Sequence, residues 1–150
     1  SIDMIYTDPP FSITRAKWDK PLRWSELFKD MWRVLKPTGI IVLYASMPFT
    51  YELLKHDQPK YHYTWIKNNS TGFLSCKYQP LRQTEEIFVY YKKTGTYNRT
   101  DEHIDHFIKT YTNEGDTILD MTCCCDYVGL RCDALERQYI GVDLEAVNST

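Results

Sequence analysis

The sequence predicts an α/β domain built on a mostly parallel sheet with helices on both faces. Three observations predict it. Short strand-like apolar runs alternate with helix-period segments along the chain. The run at 40–45, Ile-Ile-Val-Leu-Tyr-Ala, is continuously apolar, as in a strand covered on both faces. Two other runs each end at an acidic residue, Asp8 and Asp120, and ligands of α/β sheets sit at the carboxyl ends of strands.

Taken in order, 2–7 is a short strand that stops at Asp8-Pro9-Pro10, because two prolines forbid further ladder bonds. Over 22–35 the apolar residues Leu27, Phe28, Met31, Trp32 and Leu35 recur at helical spacing. Lys36-Pro37-Thr38-Gly39 carries the breaker chemistry that ends that helix. Strand 40–45 and a helix over 49–55 follow, then strands at 61–67 and 86–91. The polar stretch 68–84 between them is too long for a tight turn and reads as a functional loop. A short helix spans 103–112, and Asn113-Glu114-Gly115-Asp116 turns the chain. Strand 117–121, helix 128–137 and strand 139–142 complete the alternation.

The 150 residues suit a single domain, 1–150, with enough chain to bury a core. With 43% hydrophobic and 25% charged residues the balance is that of an ordinary soluble protein. A formal net charge of −2 argues against a strongly cationic surface, but a local basic strip still suffices to grip phosphates. Twelve Tyr and four Trp give more rings than a core this size needs, which leaves some for base stacking. No stretch is signal-like or long enough to span a bilayer, so a cytoplasmic protein without a membrane partner is expected. A homodimer is compatible with these features. The start at Ser1, directly before an apolar run, reads as a chain truncated at its amino end.

Cys76, Cys123, Cys124, Cys125 and Cys132 are odd in number and three are adjacent, so they form no disulfide framework. Three consecutive thiols cannot converge on one ion without distortion, and no metal site is expected. Buried free thiols in a reducing compartment are the simpler reading.

Asp8-Pro9-Pro10-Phe11 is the sharpest signal. An aromatic amine is a poor nucleophile because its lone pair is delocalised into the ring. A site that accepts both N–H hydrogens pulls the nitrogen towards a tetrahedral, nucleophilic state. A carboxylate and a neighbouring main-chain carbonyl, held rigid by two prolines, supply the two acceptors. An aromatic beside them can stack on a base that has left the duplex. Asp8, the Pro9 carbonyl and Phe11 fit these roles, with Pro10 stiffening the turn. The plainer alternative is a strand-ending proline turn whose Phe11 plugs the core.

The flanks of this loop, Ile5-Tyr6-Thr7 before it and Lys17-Trp18-Asp19 after it, resemble the amino-methylating DNA methyltransferases. So do Leu35-Lys36-Pro37-Thr38-Gly39, Thr71-Gly72-Phe73-Leu74, Pro80-Leu81-Arg82 and Glu86-Ile87-Phe88-Val89, and the resemblance covers nearly the whole chain. It implies a Rossmann-like methyltransferase fold, S-adenosylmethionine as cofactor and double-stranded DNA as partner. It also implies methyl transfer to the exocyclic amine of a flipped-out base. An Asp-Pro-Pro-aromatic loop is typical of the family's adenine N6 members, whereas Ser often replaces the Asp in cytosine N4 enzymes.

By the same resemblance Asp120, Thr122, Cys123 and Cys125 belong to the cofactor loop, and Asp143, which closes the next strand, accepts from the cofactor ribose. The catalytic loop precedes the cofactor loop, the order of the family's circularly permuted class. The chain also departs from the family. Cys124 and Asp126 stand where glycines are expected, and a side chain forced to positive φ costs about 1–3 kcal/mol. Asp126 also brings negative charge towards the methionyl carboxylate, so weakened cofactor binding is expected. No equivalent of the family's His-Pro-Thr-Gln-Lys-Pro-like segment or of its target-recognition insert is found. His103 and His106, three apart on a helix, read as solvated helix histidines.

Lys67, Lys77 and Arg82 punctuate the loop 68–84, with Phe73 and Tyr78 between them, a pattern suited to phosphate contact and stacking. A solvated loop with its rings folded onto the core explains the same residues. Two functions compete: an adenine methyltransferase, and a catalytically impaired relative acting as a DNA-binding or regulatory module.

Overall fold

The computed structural model describes residues 1–12, 17, 19–71, 76–78, 80–98, 105–123 and 127–143. These form a six-stranded sheet in the order β3-β4-β2-β1-β5-β6. The strands are β1 (Ile2–Thr7), β2 (Leu35–Ala45), β3 (Tyr61–Thr71), β4 (Arg82–Tyr90), β5 (Thr117–Asp120) and β6 (Gln138–Gly141). The helices are α1 (Trp24–Val34), α2 (Phe49–Leu54), α3 (His106–Tyr111) and α4 (Tyr127–Ala134). β1 pairs in parallel with both β2 and β5, and β5 with β6, while β4 runs antiparallel to β2 and β3.

Helices cover both faces, as expected. Trp24, Phe28 and Met31 of α1, spaced at i, i+4 and i+7, pack with Phe49 and Leu53 of α2 onto Ile5, Ile41, Leu43 and Phe88. On the other face Phe107, Ile108 and Tyr111 of α3 and Cys132 of α4 meet Met4, Ile40, Val42, Val89 and Ile118. Asp105, at the start of α3, accepts a bidentate pair of hydrogen bonds from Arg131 of α4, one of them 2.7 Å long. The Arg131 guanidinium holds the Asp105 carboxyl below the usual carboxylate range.

The crossover from β1 through α1 to β2 leaves towards one side of the sheet, and that from β5 through α4 to β6 towards the other. Right-handed crossovers in opposite directions put their helices on opposite faces. The carboxyl ends of β1 and β5 are therefore the topological switch point, the place where doubly wound sheets form a crevice and bind ligands.

Two elements differ from the sequence reading. Leu35 begins β2 instead of closing the helix, and the breakers Lys36, Pro37, Thr38 and Gly39 lie inside that strand. Ile2 pairs with Leu35 but Met4 with Ile40, so β2 carries extra residues in a bulge. Pro37 is tolerated there because a bulged residue owes the ladder no N–H. A Cβ on Gly39 would meet Leu35 Cγ at 2.6 Å and the Asp3 carbonyl at 2.9 Å, so the bulge needs glycine. Asp3 ties this end together, accepting from Lys36 Nζ at 2.6 Å and from the Thr117 amide at 3.1 Å.

The second difference is the polar stretch 68–84. Its two ends are strand: β3 continues to Thr71 and β4 begins at Arg82, across a register shift between Ile66 and Thr71. β2 stops at Ala45, opposite Glu86, so the outer ends of β3 and β4 overhang the sheet as an arm. β3 runs parallel to β1 in space, so the arm projects at the end where Asp8 lies.

Smaller corrections concern single residues. His106 is not solvated: its ring packs edge-on against Tyr63 and Phe107, with Nε2 buried. Cys132 is a buried thiol as expected, but Cys123 is half-buried and Cys76 exposed. Among the described residues no three His, Cys, Asp or Glu side chains gather into a cation site, and no helix is long and apolar enough to cross a membrane.

Candidate active site

β1 delivers Asp8, and β5 delivers Asp120 and then Thr122, to the same end of adjacent strands. Tyr6 lies opposite Asp120 in the register, so the two chains leave the sheet together. The Thr122 hydroxyl joins them. It accepts from the Asp8 amide at 3.0 Å, lies 3.2 Å from the Thr7 hydroxyl and 3.4 Å from Asp120 Oδ1. Asp120, buried at 5% exposure, also accepts from the Thr122 amide at 2.9 Å. A buried carboxylate thus orients one hydroxyl, and that hydroxyl fixes the backbone from which the Asp8 side chain projects.

The loop after Asp8 is pinned twice more. Pro9 is buried and Pro10 half-buried, and Phe11 lies half-buried with its ring 5.0 Å from that of Phe49. Ser12 takes positive φ of 55°, uncommon for a side-chain-bearing residue, and its amide donates to the buried carboxylate of Asp19. Asp19 is thus the clasp that closes the loop. The sequence offered it only within the motif Lys17-Trp18-Asp19.

Asp8 is exposed at the mouth, yet protein crowds its carboxyl on most sides. This burial pushes its pKa up to about 6; Glu85 and then Asp120 add to the rise, while Lys67 opposes it. Asp8, Asp120 and Glu85 thus place three carboxyls at this end of the sheet, with Lys67 paired to Glu85. Beside them the hydroxyls of Tyr6 and Tyr44 meet at 2.6 Å, and burial raises both phenols. Glu85 and Tyr44 were not singled out from the sequence, because only strand pairing brings them to Asp8, and Tyr6, two residues before it on β1, was named only within the flank Ile5-Tyr6-Thr7.

On the cofactor side, the chain past β5 and the chain past β6 run on together. Val142 donates to the Asp120 carbonyl at 2.8 Å, and Cys123 to the Val142 carbonyl at 3.1 Å. Half-buried Asp143 follows at once, which brings it to the crevice with Asp120, Thr122 and Cys123. A Cβ on Gly141 would lie 2.7 Å from Cys123 Sγ, so the thiol fills the space this glycine leaves. Cys125, with Cys124 and Asp126, lies outside the described residues, as do Trp18, Gly72, Phe73, Leu74 and His103.

The basic residues separate. Lys77 and Tyr78 are exposed near the tip of the arm, and Arg82 is half-buried at the start of β4, opposite Thr71. Lys67 lies within β3, largely buried, and is ion-paired with Glu85. A phosphate contact at Lys67 would have to break that pair.

Comparison with known proteins gives the family and the fold. A family model for DNA methylases of the N6/N4 type matches residues 2–106. The chain belongs to the N6/N4 DNA methylase family. Among curated relatives, the type II methyltransferase M.HpaI of Haemophilus parainfluenzae is 30% identical over 112 residues, covering 65% of this chain. The chain spans only 36% of that protein's length. The type II methyltransferase M2.DpnII of Streptococcus pneumoniae is 24% identical over 212 residues, covering 97% of this chain and 78% of the relative. Among solved structures, M1.HpyAVI superposes with a TM-score of 0.73 at 22% identity, covering 95% of this chain and 80% of that one. Its complex with S-adenosylmethionine gives a TM-score of 0.70 at 23% identity. These likenesses establish the Rossmann-like methyltransferase fold for this member of the family.

Proposed function

We propose that this chain is an S-adenosylmethionine-dependent DNA methyltransferase acting on the exocyclic amine of a flipped-out base, with adenine N6 as its target. The observation that carries the reading is the pairing of Asp8 with the Asp120–Thr122 turn across the switch-point crevice. One side offers an amine-activating carboxylate, and the other the acidic strand ends expected of a cofactor site.

The residues present fit the cofactor. Asp8 and Asp120 bring two carboxyls to this end of the sheet with Glu85 close enough to act on Asp8, and S-adenosylmethionine carries a net positive charge that such a site favours. Asp120, Thr122, Cys123 and Asp143 would hold it, Asp143 accepting from the ribose hydroxyls. When bound, the cofactor supplies an electrophilic methyl group on a sulfonium.

The chain's own residues prepare the amine. The Asp8 carboxylate accepts one amino hydrogen and the Pro9 carbonyl the other, so the lone pair localises on nitrogen. Both bonds strengthen as positive charge develops on that nitrogen, and the acceptors thereby favour the transition state over the ground state. Thr122 and Asp19 hold the loop so that neither acceptor must reorganise. Phe11, half-buried and packed against Phe49, would stack on the base with the part of its ring that stays exposed. Aspartate in place of serine in this loop, by resemblance, favours adenine over cytosine. Lys77 and Arg82 on the overhanging arm suit phosphate contact.

The test is methyl transfer from labelled S-adenosylmethionine to unmethylated bacterial DNA, with the product nucleosides separated by mass spectrometry. N6-methyladenine is expected, and N4-methylcytosine would reassign the base. Asp8→Ala should lower the rate by about two to three orders of magnitude with DNA affinity unchanged. Unchanged turnover would return the loop to a proline turn. The substitutions at Cys124 and Asp126 favour a second reading, a relative that kept the fold and lost the cofactor. Absence of S-adenosylmethionine binding in a calorimetric titration would favour that one.

A further inference from the structure

Beyond Asp8, the same sheet face carries a continuous line of rings. Tyr6 meets Tyr44 with centroids 5.6 Å apart, and Tyr44 meets Trp65 edge-on at 6.2 Å. Trp65 ends the line on β3, at the edge of the sheet, and its surface is 48% exposed. Lys67 Nζ stands 5.5 Å from the centre of the indole while paired with Glu85, so the tryptophan is buttressed by Tyr44 and by a largely buried ion pair. A large aromatic this exposed and this firmly held is a platform without a lid.

Its position limits what can lie on it. β3 and β1 are separated by β4 and β2, so their backbones are about 14 Å apart. One base cannot reach both Asp8 and Trp65, but a base from a neighbouring nucleotide can. The Lys67–Glu85 pair cancels its own charge, so the platform offers a flat apolar face and little to attract a phosphate. The exposed amine available to phosphates is that of Lys77, further out on the arm.

We propose that Trp65 is a stacking site for an unpaired DNA base flanking the target nucleotide, and so a positioning residue for the substrate strand. This rests on the reading of the crevice as a base-methylating site, because it takes the target base to lie at Asp8. Stacking on an aromatic tolerates any base but requires that a base be present.

That requirement supplies the test. Fluorescence anisotropy with the full chain would compare a labelled short oligodeoxyadenylate with an abasic strand of the same length and phosphate count. The wild type should prefer the base-bearing strand. Trp65→Ala should weaken binding to oligodeoxyadenylate by about tenfold, leave the abasic strand unchanged and so narrow the preference by that factor. Trp65→Phe should restore it, and a thermal melt would confirm that both variants fold. Equal loss on both strands, no loss on either, or no preference in the wild type would overturn the proposal. If Asp8→Ala kept full methyl transfer, the reading of the crevice would fail while the stacking result stood on its own.

Discussion

Replacing Asp8 by Asn should make the protein more stable and a far poorer catalyst. Burial holds the Asp8 carboxyl at about 6, up from 3.8, with Glu85 and Asp120 adding to the shift and Lys67 opposing it. Between those values the folded chain keeps a proton that the unfolded chain has released. Stability therefore falls as pH rises through this window, and the whole cost is present above it. For a fully buried group a shift of this size corresponds to about 3 kcal/mol. Solvent reaches the Asp8 carboxyl, and screening reduces the figure to about 1–2 kcal/mol. Asn keeps the shape and removes the charge, so Asp8→Asn should gain that amount near neutral pH. Near pH 4 the gain should shrink to roughly a fifth, because Asp8 is then mostly protonated in the folded chain. Thermal melts followed by circular dichroism at both pH values measure this. The neutral-pH melting temperature should rise by about 2–8 °C. The same variant should lose about two to three orders of magnitude in methyl transfer, since a neutral amide is a weaker acceptor for the amine. Equal melting temperatures near neutral pH, or an equal gain at both pH values, would refute an electrostatically strained Asp8.

Other outcomes follow from the same sites. The wild-type rate should show an acid limb with its midpoint near the Asp8 value of about 6, falling as pH drops because only the carboxylate accepts the amino hydrogen; a pH–rate profile checks it. Cys124→Gly with Asp126→Gly should tighten S-adenosylmethionine binding at least tenfold, about 1.4 kcal/mol, by calorimetric titration. Unchanged affinity would show that the altered turn does not limit binding. Asp105→Ala should cost about 2 kcal/mol in chemical denaturation, because α3 and α4 lose their bidentate link. The Asp105 carboxyl is lowered by Arg131, so this loss should fade as acid protonates Asp105 in the parent.

Alternation of apolar runs with helical periodicity was enough to read the α/β class, the two covered faces and the placement of Asp8 and Asp120 at strand ends. Those features depend on local burial and on which residues stop a strand, and the composition of each segment records both. Pattern alone failed where a residue's neighbours come from distant segments. Pro37 and Gly39 look like helix-ending breakers, yet they lie in a strand bulge whose geometry depends on Asp3 and Leu35. The polar run 68–84 looks like a loop, yet its two ends belong to β3 and β4, because the outer ends of two strands that overhang a sheet need no covered apolar face. Lys67 looked free for phosphate, but antiparallel pairing of β3 with β4 brings Glu85 against it. The resemblance named the Asp8 loop and Thr122, but not that the Thr122 hydroxyl bridges β1 to β5, a contact across 114 residues of sequence. Local propensity is written in consecutive residues. The electrostatic environment of Asp8, assembled from β3, β4 and β5, exists only once those strands lie side by side.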